Sequence, residues 1–229
     1  MAILDYSKFK LIMPAKSKLL LHLHNKKFQK KIPKRTLNPE FTTAIRAAKL
    51  IRVCAALMKP DRSRFHRLAK FILHHVIHAD TFHKTGERQI LIENLKVFEG
   101  YEFDPDHQVS NYIPAGIITG IENKITLTIP CAGIRWPVHT AYCKIILLGV
   151  GIDLASYTST SVCGSTAWFA RSDLQAGPVY IEINNDQPLF VAIGVAYTND
   201  KASAITCQAV KIIGVNIGNK ERILRPENK

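Results

Sequence analysis

The spacing of apolar residues changes once along this chain, near Asp104-Pro105-Asp106, and that single change limits the folds open to it. Before it, apolar residues recur every three or four positions, the period of a helix. After it they recur every second position, the period of a strand. Helices grouped first and strands grouped second, with no helical segment between the strands, describe an α+β protein rather than an alternating α/β one.

The helical part begins at Asn38-Pro39-Glu40, with Asn38 as N-cap and Pro39 at the first helical position. Phe41, Ile45, Ala48, Ile51, Ala55 and Met58 form its apolar stripe, and Lys59-Pro60-Asp61 ends it and caps the next helix. Phe65, Leu68, Ile72 and Val76 carry the second stripe to about His78, so the two helices form a hairpin. A short third helix is expected over 87–98, with Gly100 just past its end.

Beyond Ser110, Ile125, Leu127 and Ile129 alternate with polar residues, as do Val179, Ile181 and Ile183, and Ile205, Cys207 and Ala209. The runs 144–151 and 189–197 are apolar on both faces and read as central strands. Glu122-Asn123, Asn184-Asn185-Asp186 and Thr198-Asn199-Asp200 supply turns. About seven strands without intervening helices predict an antiparallel β-sandwich. The expected organisation is therefore a basic extended arm over 1–37, a helical region over 38–103, a β-sandwich over 107–217 and a charged tail over 218–229.

Composition agrees with a folded chain. Of 229 residues, 47% are apolar and 21% charged, which excludes disorder, collagen and coiled coil for the bulk of it. No apolar run reaches the roughly 18 residues of a membrane span. The five cysteines, Cys54, Cys131, Cys143, Cys163 and Cys207, are odd in number, widely spaced and set among apolar neighbours. They read as buried thiols of a reducing compartment, and with no signal peptide apparent the cytoplasm is the expected location.

Charge is divided as sharply as periodicity. The net charge is +13, but residues 1–100 hold 21 Lys and Arg against 7 Asp and Glu, whereas the remainder holds 10 against 11. Such asymmetry costs self-repulsion that solubility alone does not require, and it points to a polyanion or an acidic surface as neighbour of the N-terminal half. The candidate binding residues are Lys26, Lys27, Lys30, Lys31, Lys34 and Arg35 on the arm, the ridge Arg46, Lys49 and Arg52, and Arg64 and Arg67 with Arg62 and Lys70 on the second helix. No zinc finger, KH loop or RNA-binding aromatic motif accompanies them, so nucleic-acid binding would be sequence-independent and salt-dependent.

Catalytic patterns are weak. His74 and His78 lie one turn apart, close enough to share a metal, yet no His-Glu-x-x-His motif or marked third ligand accompanies them. Cys163-Gly164-Ser165-Thr166-Ala167-Trp168 resembles the nucleophile segment of papain-like proteases, but no histidine follows His139, so the base that chemistry needs is missing. Gly149-Val150-Gly151 lacks the third glycine of a dinucleotide loop. A pocket pairing His139 with a carboxylate would be the arrangement that speaks for catalysis. No cofactor, metal or catalytic residue is assigned.

The segment Asp80-Thr81-Phe82-His83-Lys84-Thr85-Gly86-Glu87-Arg88, followed by Phe98-Glu99-Gly100-Tyr101-Glu102-Phe103, resembles an element of uncharacterised proteins from Bacteroidota bacteria. In those, a basic helical half with a Gly-Glu-Arg turn leads into a β-rich half. The resemblance implies a two-part architecture and a bacterial source, and it transfers no activity. From the residues themselves, Gly86 permits the turn, Glu87-Arg88 starts the third helix, and Arg88 is free to pair elsewhere.

The expectation is a non-enzymatic structural, assembly or protein-binding protein. Its basic helical half would dock on an acidic partner, and its sandwich would serve as a scaffold or self-association module giving a homo-oligomer. The competing expectation is a sequence-independent nucleic-acid binder acting through the N-terminal half. A contiguous basic face favours the second, and a long apolar patch on the sandwich favours the first.

Overall fold

In a computed structural model, the structure describes residues 38–114, 116–121, 124–130, 133–173, 177–182, 188–202 and 205–216, all within one compact unit, Leu37–Lys229. The arm cations Lys26, Lys27, Lys30, Lys31, Lys34 and Arg35, the tail from Gly218, Ile183, Cys131 and the turns Glu122-Asn123 and Asn184-Asn185-Asp186 lie outside the described residues.

Helix α1 (Pro39–Ile51) starts as its sequence indicates, with the Asn38 side chain accepting the Glu40 N–H at 2.9 Å and Pro39 at the first position. It tightens into a 3₁₀ turn, Arg52–Ala55, and stops. Met58 does not continue the helix as expected but lies beside Cys207, whose N–H donates to the Leu57 carbonyl at 2.8 Å. The buried side of α1 is Glu40, Ala44, Ala47, Ala48, Leu50 and Ile51, while Phe41 and Ile45 are only half-buried. The apolar stripe is thus rotated from its expected centre, because the buried face begins on a carboxylate and runs along small alanines.

Helix α2 (Arg62–Phe71) is capped by Asp61, whose carboxylate accepts the Ser63 N–H at 2.8 Å and the Arg64 N–H at 3.1 Å. It widens into a π-helical stretch, Ile72–Ile77, closed by the His78 N–H on the Leu73 carbonyl at 3.0 Å. This wider winding puts Ile72, Val76 and Ile77 all inside while His74 and His75 stay out. The third helical segment corrects the expectation. It is a 3₁₀ stretch over Ile92–Phe98, and Glu87 and Arg88 precede it in the turn and loop. Gly100 follows at φ +87°, the left-handed position the sequence suggests. A further short 3₁₀ turn covers Val109–Asn111.

The strands are β1 (Ile117–Ile121), β2 (Lys124–Thr128), β3 (Tyr142–Asp153), β4 (Thr158–Ser165), β5 (Phe169–Ala170), β6 (Val179–Glu182), β7 (Leu189–Thr198) and β8 (Cys207–Asn216). All pairings are antiparallel. One sheet has the order β1-β2-β6, the other β4-β3-β7-β8 with β5 also on β3. The two apolar runs are the central strands β3 and β7, paired from Tyr142↔Thr198 to Gly151↔Leu189. The third expected alternation shifts: Ile205 is exposed and lies before β8, which begins at Cys207.

Why β3 and β7 are apolar on both faces is answered by what covers them. Ile146, Leu148, Val150 and Ile152, with Phe190 and Ala192, share one cluster with Ala44, Ile51, Leu68, Ile72 and Phe98 of the helical part. Ile145, Leu147, Val191, Ile193 and Val195 point the other way, into a second cluster with Ile125, Leu127, Val179 and Ile181 of the smaller sheet. The larger sheet is therefore the middle of three layers. Each fully buried Ile, Leu or Phe contributes roughly 1.5–3 kcal/mol. At one point the two sheets approach so closely that only glycine fits, because a Cβ on Gly164 of β4 would collide with the Tyr180 carbonyl of β6.

The two edges of the larger sheet differ. Outside β8, Gly100 donates to the Ile212 carbonyl (2.9 Å), Ile212 to Tyr101 (2.9 Å) and Phe103 to Val210 (3.0 Å), so the 100–103 segment seals that edge. At the other edge, β4 reads Thr-Ser-Thr-Ser-Val-Cys-Gly-Ser, holds no charge, and is exposed or half-buried along its whole length.

Candidate functional site

Two carboxylates in the helical part are buried, and both are spent on the loop that follows α2. Glu40, 2% exposed, accepts the Gly86 N–H at 2.6 Å and the Arg88 N–H at 3.4 Å through one oxygen. Its other oxygen lies 3.6 Å from His78 Nε2. Asp80, 1% exposed, accepts the N–H groups of Phe82 (2.9 Å), His83 (3.2 Å) and Gln89 (2.9 Å) and lies 2.7 Å from His83 Nδ1. Burial acts to raise the Asp80 pKa, but the Gln89 and Phe82 N–H groups, the His83 ring and the His83 N–H outweigh it and hold it at about 2. The Asp80–Arg88 segment therefore wraps two internal carboxylates, with Gly86 at φ +95° making a turn that other residues rarely adopt.

With Glu40 and Asp80 buried and Arg64 and Arg88 only half-buried, the exposed surface of the helical part keeps the basic balance of its sequence. Within 38–100 the exposed Lys and Arg are nine (46, 49, 52, 59, 62, 67, 70, 84 and 96), against four exposed carboxylates (61, 87, 93 and 99). Among the described residues after 100 the same count is four against four. The basic surface belongs to the helical layer.

The candidate cations of the two helices fall into two groups. Arg46 and Lys49 project from α1, Arg52 from the 3₁₀ turn that ends it and Arg62 and Lys70 from α2, and among the described residues none of the five forms an ion pair. Arg46 stands over the Tyr157 ring at 5.2 Å and Arg52 over the Phe65 ring at 5.8 Å, which props both guanidinium groups without neutralising them. Arg64 and Arg67 are engaged inside the fold. Arg64 donates to the Lys59 carbonyl at 2.9 Å, and Arg67 donates to Ser63 Oγ at 2.6 Å and the Phe103 carbonyl at 3.3 Å while pairing with Asp61 at 3.5 Å.

The remaining candidates stay apart. His74, His75 and His78 are exposed, and the His74 and His78 rings meet edge to face at 5.3 Å. Among the described residues no group of three His, Cys, Asp or Glu side chains converges as a metal site. His139, at φ +63°, lines an open recess of about 610 Å³ with Trp136, Arg171 and Asn199, and among the described residues no carboxylate lines it. Cys163 is exposed on β4, not buried as expected, whereas Cys54, Cys143 and Cys207 are buried. Burial nevertheless raises the Cys163 pKa against the pull of Lys144, the opposite of an activated nucleophile, and pushes Cys54 and Cys207 up to about 12.

Sequence reasoning missed the burial of Glu40 and Asp80, and with it a recess of about 300 Å³ lined by Thr43, Arg88, Gln89, Ile90, Leu154 and Tyr157. The Gly-Glu-Arg turn was the available signal, since a glycine flanked by charges in an otherwise helical half needs carboxylate or carbonyl partners to hold it.

Compared with family models, curated proteins and solved structures, the chain matches none. No helix among the described residues is long and apolar enough to cross a membrane.

Proposed function

We propose that this protein is a non-enzymatic nucleic-acid-binding protein that docks on the phosphate backbone through its helical layer, without reading sequence. The observation that carries this is the set of exposed cations Arg46, Lys49, Arg52, Arg62 and Lys70 in the two packed helical segments, none of which forms an ion pair among the described residues. Unpaired cations of this kind release counterions when phosphates replace them, and that term is indifferent to base identity. Arg64 and Arg67 hold the α2 end of the surface in place, and the arm cations would extend it. In this reading the two sheets make an antiparallel β-sandwich that serves as a rigid scaffold, and the buried thiols Cys54, Cys143 and Cys207 support a reducing, cytoplasmic setting.

The test is size exclusion with light scattering at low and high salt, monitored at 260 and 280 nm. The proposal expects nucleic acid to travel with the purified protein at low salt and to be stripped at high salt. Protein free of nucleic acid at low salt, with no affinity for added duplex or single strand, contradicts it.

A second reading, self-association, is favoured by β4 alone. An uncharged strand exposed along an open sheet edge lacks the charges, prolines and bulges that usually prevent pairing. The large exposed apolar side chains, Phe82, Val138 and Tyr180 foremost, are scattered over separate elements and give that reading no patch. A mass in light scattering that doubles with concentration, and reverts to monomer in Val162→Lys, would support it. A constant monomer mass would remove it.

A further inference from the structure

We infer that the recess between α1, the Gly-Glu-Arg loop and the β3–β4 turn is a nucleotide site that seats one phosphate and one base of a single strand. This rests on the proposed nucleic-acid reading and narrows it from a backbone track to a preference for unpaired bases.

Three elements build the recess. Helix α1 contributes Thr43, the loop contributes Arg88, Gln89 and Ile90, and the turn after β3 contributes Leu154 and Tyr157. The loop wall is held from behind by the backbone bonds to Glu40 and Asp80. The turn is held by Asp153, which accepts the Ala155 N–H at 2.8 Å and the Ser156 hydroxyl at 2.6 Å. Tyr157 sits at φ +55°, a strained conformation for a bulky residue, so the fold fixes this ring at the rim against its backbone preference.

The lining chemistry selects the ligand. Arg88 has five donors and one hydrogen bond among the described residues, from Nη2 to Thr85 Oγ1 at 3.1 Å, and its buried Nε has no partner. Among the described residues no carboxylate lines the recess. The carboxylates bonded to the loop and the turn, Glu40, Asp80 and Asp153, accept backbone N–H groups. Arg46 adds a second guanidinium over the Tyr157 ring. An under-used guanidinium suits a phosphate, the half-exposed aromatic ring suits a base, and the Gln89 amide and Thr43 hydroxyl suit a sugar or base edge. Ile90 and Leu154 complete an apolar wall. The volume is at the lower bound of small-molecule sites, enough for one nucleotide unit and too small for a duplex. Stacked, paired bases cannot reach Tyr157, so the site discriminates against double strands.

The experiment is fluorescence anisotropy of the full chain with a labelled single strand of about 12 nucleotides and with the duplex of the same sequence, plus calorimetric titration with a mononucleotide. Base stacking on one aromatic side chain predicts a loss of about fivefold to a hundredfold in single-strand affinity for Tyr157→Ala, with duplex affinity unchanged. Arg88→Gln should also weaken the single strand, and Tyr157→Phe, which keeps the ring, should retain binding. Circular dichroism melts verify that each variant is folded, and Arg88→Gln carries the test if Tyr157→Ala is not. Mononucleotide binding that is lost in Arg88→Gln, with no strand binding, upholds the site but assigns it to free nucleotides and overturns the proposed function. Equal single-strand and duplex affinity, unmoved by the variants, overturns the site and leaves the proposed function standing. No binding of any of the three overturns both.

Discussion

Glu40 accepts two N–H groups from a loop more than 40 residues away through a single carboxylate oxygen, Gly86 at 2.6 Å and Arg88 at 3.4 Å. Removing that acceptor leaves two part-buried donors unpaired, at a cost of up to about 1–3 kcal/mol each. Glu40→Ala should therefore lower unfolding free energy by about 2 kcal/mol or more in urea titrations, while Glu40→Gln, which keeps an acceptor oxygen, should lose less. Equal losses would show that the charge, not the acceptor, holds the loop. Asp80 makes a related prediction in pH. Its folded pKa, about 2, is below the unfolded value of about 3.9, so its contribution is fully present above pH 4 and is lost as pH falls through 2. Asp61 and Asp153 are lowered too, by hydrogen bonds from Ser63 and Ser156 foremost, and act in the same direction. Melting temperature should fall from about pH 4 to pH 2, and a flat profile would contradict this. Gly164→Ala drives a Cβ into the Tyr180 carbonyl and should cost about 3 kcal/mol, the upper end of overpacking, by the same urea assay.

At the scale of elements, what was legible in the sequence is what local chemistry determines. Asn38 and Asp61 start helices by bonding within three residues of themselves, Pro39 by its fixed φ, and Gly100 ends a segment by its own φ. Ile125 and Leu127, or Val179 and Ile181, mark strands because alternation is a property of each strand alone. Features set by distant partners were not legible. Glu87-Arg88 resembles a helix start, but Glu40 captures the Gly86 and Arg88 N–H groups and holds them in the turn and loop until Ile92. Met58 has helical spacing, yet β8 takes its backbone into a bridge. The double-sided apolarity of β3 was visible, whereas the identity of the second cover, the helical part, was not. The Asn38 cap gives the element-scale prediction: Asn38→Ala removes the acceptor for the Glu40 N–H and should cost about 1 kcal/mol in thermal or urea unfolding. A change below the error of the assay would mean that the helix start is held by Glu40 burial instead.

The described residues form three layers sharing one sheet, and their exposed charge is sorted between them. Because β3 and β7 supply both apolar clusters, neither the helical layer nor the smaller sheet can detach without exposing the central strands. Trp136 packs on the cluster against the smaller sheet and Trp168 on the one against the helices. Tryptophan fluorescence and helical circular dichroism should then report one coincident unfolding transition, and separated midpoints would show independent layers. Exposed charge is sorted along the chain, nine cations against four carboxylates on the helical residues and four against four among the described residues beyond them, and the proposed function takes the helical surface as the one that meets a polyanion. The most direct test of that claim is the salt dependence of binding to a labelled oligonucleotide, for the natural chain and for the triple variant Arg46→Ala, Lys49→Ala, Arg52→Ala. Each lost phosphate contact lowers the slope of log affinity against log salt by about 0.7–0.9, so the account predicts weaker binding and a slope smaller by about two. An unchanged affinity and slope in the triple variant would contradict it.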